Sequence, residues 1–127
     1  MARGLSQHQA RKAAVAALGR SLSRRAKAKC ELCGASGSLK VIEVPPIEQE
    51  PSSERAILAC HSCQRLMNGQ DAEDSGVRFL EETVWSEVVP AQLTAVRLVN
   101  RFAADGRGWA VAVMDGLYLS PEVERLV

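Results

Sequence analysis

The sequence predicts one small α+β domain spanning residues 1–127, and three observations predict it. All four cysteines fall in two pairs with two-residue gaps, in "CELCG" from Cys30 and in "CHSCQ" from Cys60. Two short β-branched runs lie between the pairs, and helical apolar periodicity dominates before and after them. The chain has only two Trp, two Phe and one Tyr, so its core must be built mainly from Ala, Val and Leu. A core of such small side chains gains from a cross-link, and the cysteine pairs are the candidates to supply one.

Residues 1–29 are expected to form a basic helix. Ala10, Ala13, Ala14, Ala17, Leu18 and Leu22 recur at spacings of three and four from about Ser6 to Lys29, with Gly19 and Ser21 weakening the middle. Residues 30–69 hold the cysteine module. Within it, "SLKVIEVPP" reads as a strand ended by Pro45 and Pro46, "PPIEQEPSSE" as a polar loop, and "RAILA" as a second strand entering the second pair. "CQRLMNG" reads as one or two helical turns stopped by Asn68 and Gly69. Residues 70–79 form an acidic linker, and residues 80–127 a helical half. There, Pro90 suits a first helical turn, Leu93, Val96, Val99, Phe102 and Ala103 make a stripe, and Asp105-Gly106 is the stop. "GWAVAVMDG" is another short helix, and "SPEVERLV" opens with a Ser cap followed by Pro.

The net charge of +1 hides an asymmetry. Residues 1–29 carry eight of the sixteen bases and no acid, which leaves eight bases against fifteen acids in the remainder. The first segment is therefore +8 and the rest −7. Such a split marks either a contact with nucleic acid or a basic helix lying on an acidic body. No apolar run approaches the roughly 18 to 20 residues that a spanning helix needs, so no membrane partner is expected and the location reads as cytoplasmic. An acid-free basic amino terminus also resembles a transit peptide, but its apolar positions continue in helical register to the first cysteine pair, which argues for a structural segment.

Cys30, Cys33, Cys60 and Cys63 have the spacing of metal ligands. A two-residue gap lets both thiolates of a tight turn point at one ion, and two such turns complete an all-sulfur tetrahedron. Gly34, just past the first turn, lets the backbone bend so that its amides face the sulfurs. One structural Zn2+ is the expected cofactor. A four-thiolate iron site suits the same ligands, and disulfides or a redox dithiol are the remaining readings, disfavoured by the missing secretion signal and missing thioredoxin-like pattern. Zinc with four thiolates has no open position and activates no water. The bases at Arg24, Arg25, Lys27 and Lys29 then have two readings: they offset the −2 charge of a Zn(Cys)4 centre or, together with Arg20, they contact phosphates.

The stretches "SRRAKAKCELCG", "VIEVPP", "LACHSCQ" and "WSEVVPAQLTAVRLVNRF", with "GLYL" beyond them, resemble the PhnA-like protein family over about Ala17 to Tyr118. The resemblance implies a zinc-ribbon-type region with one zinc on Cys30, Cys33, Cys60 and Cys63, lacking the small β-barrel-like domain into which longer relatives continue. Phosphonate-hydrolase labels have attached to that family, but this sequence shows neither a His/Asp metal cluster nor a nucleophile in a recognisable setting. The layout also looks like the treble clef of HNH nucleases. On that pattern the general-base His falls at Val44, the central Asn near Arg55 and the final His at Gln64, so the imidazole needed to deprotonate water is missing. The expectation is thus a non-catalytic module that binds nucleic acid through its basic helix, or a protein partner. The alternative is a degenerate metal-dependent hydrolase.

The other conspicuous residues take structural expectations. His61 is an exposed or outer residue of the second turn and His8 a solvated one. Trp85 and Trp109 anchor the main helix to the cysteine module, and Tyr118 packs. Glu81, Glu82 and Glu87 form a solvated face, and Met67 and Met114 fill gaps.

Overall fold

The computed structural model describes residues 2–127, with side chains described from residue 7 onward. The predicted basic helix is two helices, α1 (Ala2–Ala17) and α2 (Gly19–Ala26). The break falls beside Gly19, where backbone freedom makes a helix least favourable. Lys27 and Ala28 then adopt φ of 55° and 58°, so the helical stretch stops before Lys29. Leu22 is completely buried against Ala56 and Leu58, with Leu18, Ala26, Leu39 and Val41 around it. Burying one such side chain stabilises the contact by about 1.5–3 kcal/mol. The expected apolar stripe does not extend back along α1: Ala10, Ala13, Ala14 and Ala17 are exposed.

Strands β1 (Lys40–Glu43) and β2 (Ala56–Ala59) form an antiparallel pair in register from Lys40 opposite Ala59 to Glu43 opposite Ala56. They lie where the β-branched runs predict strands. Side chains alternate across the pair. Val41 and Leu58 meet α2 on one face, while Ile42 and Ile57 join the main core on the other. The connection passes through a 3-10 turn at Ser53–Arg55, begun by the Ser52 hydroxyl accepting from the Glu54 amide at 3.1 Å.

Helix α3 (His61–Met67) follows β2 directly, and α4 (Asp74–Val77) and α5 (Leu80–Thr83) are single turns. The segment read as an acidic linker is therefore not detached. Val77 is buried, the Arg107 guanidinium donates to the Ala72 carbonyl at 2.7 Å and reaches Asp71 and Asp74, and Trp109 Nε1 donates to Asp74 at 2.9 Å. Those carboxylates stay exposed to water, but a guanidinium and an indole tie them to the body of the fold.

The central element is α6 (Val89–Ala104), with Pro90 in its first turn and Gly106, at φ 84°, just past its end. Leu93, Val96, Val99 and Phe102 are all buried, as the stripe predicts. Helix α7 (Gly108–Asp115) returns against it, and α8 (Pro121–Leu126) is capped by the Ser120 hydroxyl, which accepts from the Val123 amide at 3.3 Å. One continuous core joins α6 to Cys30, Leu32, Ile57, Cys60 and Cys63. Two expectations about aromatics fail. Trp85 is 53% exposed and Tyr118 87% exposed, so neither is a buried anchor, and Trp109 packs on Phe102 of α6, at 6.1 Å between ring centres, and bonds Asp74.

Candidate metal centre

The first cysteine pair sits on a tight backbone turn. The Gly34 amide donates to the Cys30 carbonyl at 2.9 Å, and the Cys30 amide to the Ala35 carbonyl at 2.7 Å. Gly34 has φ 83°, a conformation that costs glycine little and any other residue more. The second pair has a different origin. Cys60 is the extended residue that caps α3, and Cys63 lies in the first turn of that helix. The order is a turn, then a hairpin, then a ligand pair at a helix start.

These elements bring Cys30, Cys33, Cys60 and Cys63 together so that one sulfur from each lies within 4.8 Å of the other three. Cys33 Sγ and Cys60 Sγ are 3.6 Å apart, and none of the four is in a disulfide. A tetrahedral centre with metal–sulfur bonds of about 2.3 Å has sulfurs about 3.8 Å apart, so the cluster has the right scale to hold an ion. Cys30, Cys60 and Cys63 are buried, and Cys33 is half-buried. Among themselves the four sulfurs cannot all carry charge. A hydrogen bond from Cys63 draws the Cys30 thiol down to about 4, burial pushes Cys33 up to about 11, and Cys63 is raised by that same bond to Cys30 and by burial. A divalent cation removes the conflict by neutralising thiolates that would otherwise share protons. Among the described residues no other group of three or more His, Cys, Asp or Glu side chains converges in this way.

Three side chains that the sequence does not single out hold the centre in place. Glu31, inside the first turn, is 4% exposed and takes the Arg25 guanidinium in a two-point ion pair at 2.7 and 2.8 Å. Its carboxylate also accepts from the Leu58 amide at 2.9 Å, while its own amide donates to the Leu58 carbonyl at 2.8 Å. Glu31 thus closes the outer edge of β2. Thr83 Oγ1 donates to the Leu32 carbonyl at 2.6 Å and fastens α5 to the turn. Arg101 donates to the carbonyls of Leu66 and Gln70 at 2.8 and 2.9 Å and fixes the end of α3. None of these could be read from spacing, because each acts on backbone groups far away in sequence.

The five bases expected to contact phosphates divide. Arg25 also donates to the carbonyls of Ser53 and Ala56, at 2.8 and 2.9 Å, so four of its five N–H groups serve the fold. Arg20, Arg24, Lys27 and Lys29 are exposed, and among the described residues none of them pairs with a carboxylate. Arg20, Arg24 and Lys27 recur at i, i+4 and i+7 and share one side of α2 and its end. The nuclease positions hold no imidazole: Val44 is buried, Arg55 lies 3.3 Å from Glu48, and Gln64 donates to the Ala59 carbonyl at 3.0 Å. His61 and His8 are exposed, as expected. No helix among the described residues is long and apolar enough to cross a membrane.

The chain matches no family model, and neither a curated protein nor a solved structure matches it.

Proposed function

We propose that the protein is a non-catalytic zinc module that binds nucleic acid through the exposed basic side of α2. The observation that carries this reading is the four-sulfur cluster on elements that also fix α2. Arg25 ties the helix to Glu31, inside the first cysteine turn, so holding the metal site together holds the basic side in position. Zinc suits four thiolates in a tetrahedron, and a closed shell of four protein ligands supplies structural rigidity without an activated water. Free cysteines accord with a reducing compartment, which supports a cytoplasmic location. The likeness to PhnA-like proteins belongs to this proposal. It rests on the quoted motifs and implies the same zinc ligands.

Phosphate contact by Arg20, Arg24, Lys27 and Lys29 predicts a weakly sequence-selective, salt-sensitive complex. Four such contacts give a slope of log affinity against log salt of about −3 to −4 on duplex DNA. Titration of a labelled duplex at several salt concentrations checks this. Affinity unchanged by salt, or equal affinity in the variant with all four bases replaced by Gln, contradicts it. Hydrolysis of DNA or of a phosphonate that survives purification and disappears with one side chain would favour the hydrolase reading instead.

A further inference from the structure

The two edges of the β hairpin are treated differently. The Val44 amide donates to the Arg55 carbonyl at 2.8 Å, which makes Val44 and Arg55 a hydrogen-bonded pair. Antiparallel pairs alternate, so Ile42 with Ile57 and Lys40 with Ala59 are also hydrogen-bonded pairs, and Val41 and Glu43 point their backbone groups away from β2. On the opposite edge, Leu58 and Ala56 point outward in the same way, and there Glu31 and Arg25 satisfy them. Among the described residues, the outward amides and carbonyls of Val41 and Glu43 have no hydrogen-bond partner.

Beside this bare edge runs a groove of about 570 Å³ between β1 and α1. Val15 and Ala16 form its helical wall, Leu39 and Val41 its strand wall, and the exposed Lys12 and Lys40 stand on its rim. Arg11 bridges the two elements at Glu43, at 2.7 and 3.2 Å, and is thereby neutralised, so the positive charge left at the groove is that of the two lysines. An open edge, an apolar trough and a helix alongside is the arrangement that accepts an added strand: the main chain supplies hydrogen bonds and alternate side chains fill the trough.

We propose that β1 is a docking edge for an extended protein segment whose side chains alternate between apolar and acidic. The segment pairs with Val41 and Glu43, places its apolar side chains on Val15, Leu39 and Val41, and sets its carboxylates against Lys12 and Lys40. This surface is separate from the basic side of α2 and does not depend on what that side binds.

The test uses the metal-loaded full chain, labelled with 15N, and the blocked peptide acetyl-Glu-Val-Glu-Val-Glu-Val-Glu-amide. Saturable shifts of the Val41 and Glu43 amides, with slowed hydrogen exchange at both, are expected. The Lys12→Glu/Lys40→Glu double variant, which alters only exposed side chains, should bind about tenfold more weakly, since two attractive contacts become repulsive. A peptide N-methylated on alternate residues should not bind. No change at Val41 and Glu43 at millimolar peptide overturns the proposal, as does equal binding of the N-methylated peptide, which would indicate charge attraction alone. Concentration-dependent dimerisation that protects the same amides without peptide also overturns it, by making a second copy the occupant.

Discussion

Helices α1 and α6 are each 16 residues long and both carry apolar residues at helical spacing, yet they contribute to the fold in opposite ways. Helix α6 buries nine residues, including Leu93, Val96, Val99 and Phe102. Among the described side chains of α1, none is buried. The difference lies in what the apolar positions are. Alanine removes little surface from water, so a stripe of alanines does not draw a helix onto a core, whereas Leu, Val and Phe do. Helix α1 is held instead by polar clasps, with Arg11 donating to Glu43 and to the carbonyls of Glu48 and Gln49. The N-terminal arm is fixed by guanidinium groups and one leucine, and the carboxy-terminal half by burial.

That contrast can be broken most forcefully at Phe102. Phe102→Ala should destabilise the protein by about 3–5 kcal/mol, because it empties a buried ring position under α7. Urea unfolding followed by circular dichroism would show it. Arg25→Ala comes next, at about 2–4 kcal/mol, since it leaves the nearly buried Glu31 carboxylate without its cation. The same unfolding curve measures that loss, and an effect as small as that of a surface arginine would show that the clasp is dispensable.

One substitution made in both helices sharpens the comparison further. Ala95→Gly in α6 should lower global stability by about 1 kcal/mol or more, whereas Ala13→Gly in α1 should leave the unfolding midpoint unchanged and only speed amide exchange within α1. Equal shifts in midpoint would mean that the arm and the core unfold as one unit. The smallest effect on stability is expected for Arg24→Ala, within about 0.5 kcal/mol, because the side chain is exposed. Its consequence is for binding: the salt slope on DNA should fall by about one. Neighbouring arginines thus separate, with Arg25 tied into the fold and Arg24 left exposed.

Much of this was legible in the sequence where a pattern has a local cause. The cysteine spacing, the strands, the stripe of α6 and the Ser120 cap all follow from residues within a few positions of one another. What escaped depends on distant partners. The arm reads as one helix because periodicity continues through Leu18, whereas the chain breaks beside Gly19 to let Leu22 reach Leu58. Trp85 reads as an anchor by residue type, but its position after α5 leaves it on the surface. The 70–79 segment reads as a linker because it is acidic, and its acidic side chains are exposed, yet it is held because Arg107 and Trp109 come back to it from α7 and its approach. Glu31 escaped for the same reason: its backbone partner Leu58 lies 27 residues away in β2.

We propose that Cys30, Cys33, Cys60 and Cys63 hold one zinc and that the cysteine module folds cooperatively only with it. Native mass spectrometry with elemental analysis of freshly purified protein, alongside the Cys63→Ser variant, decides it. One zinc per chain in the wild type, with none bound and the cooperative unfolding transition lost in the variant, is the predicted result. Wild-type protein that carries no metal and unfolds cooperatively in a strong chelator, or that binds iron in preference to zinc, would contradict it.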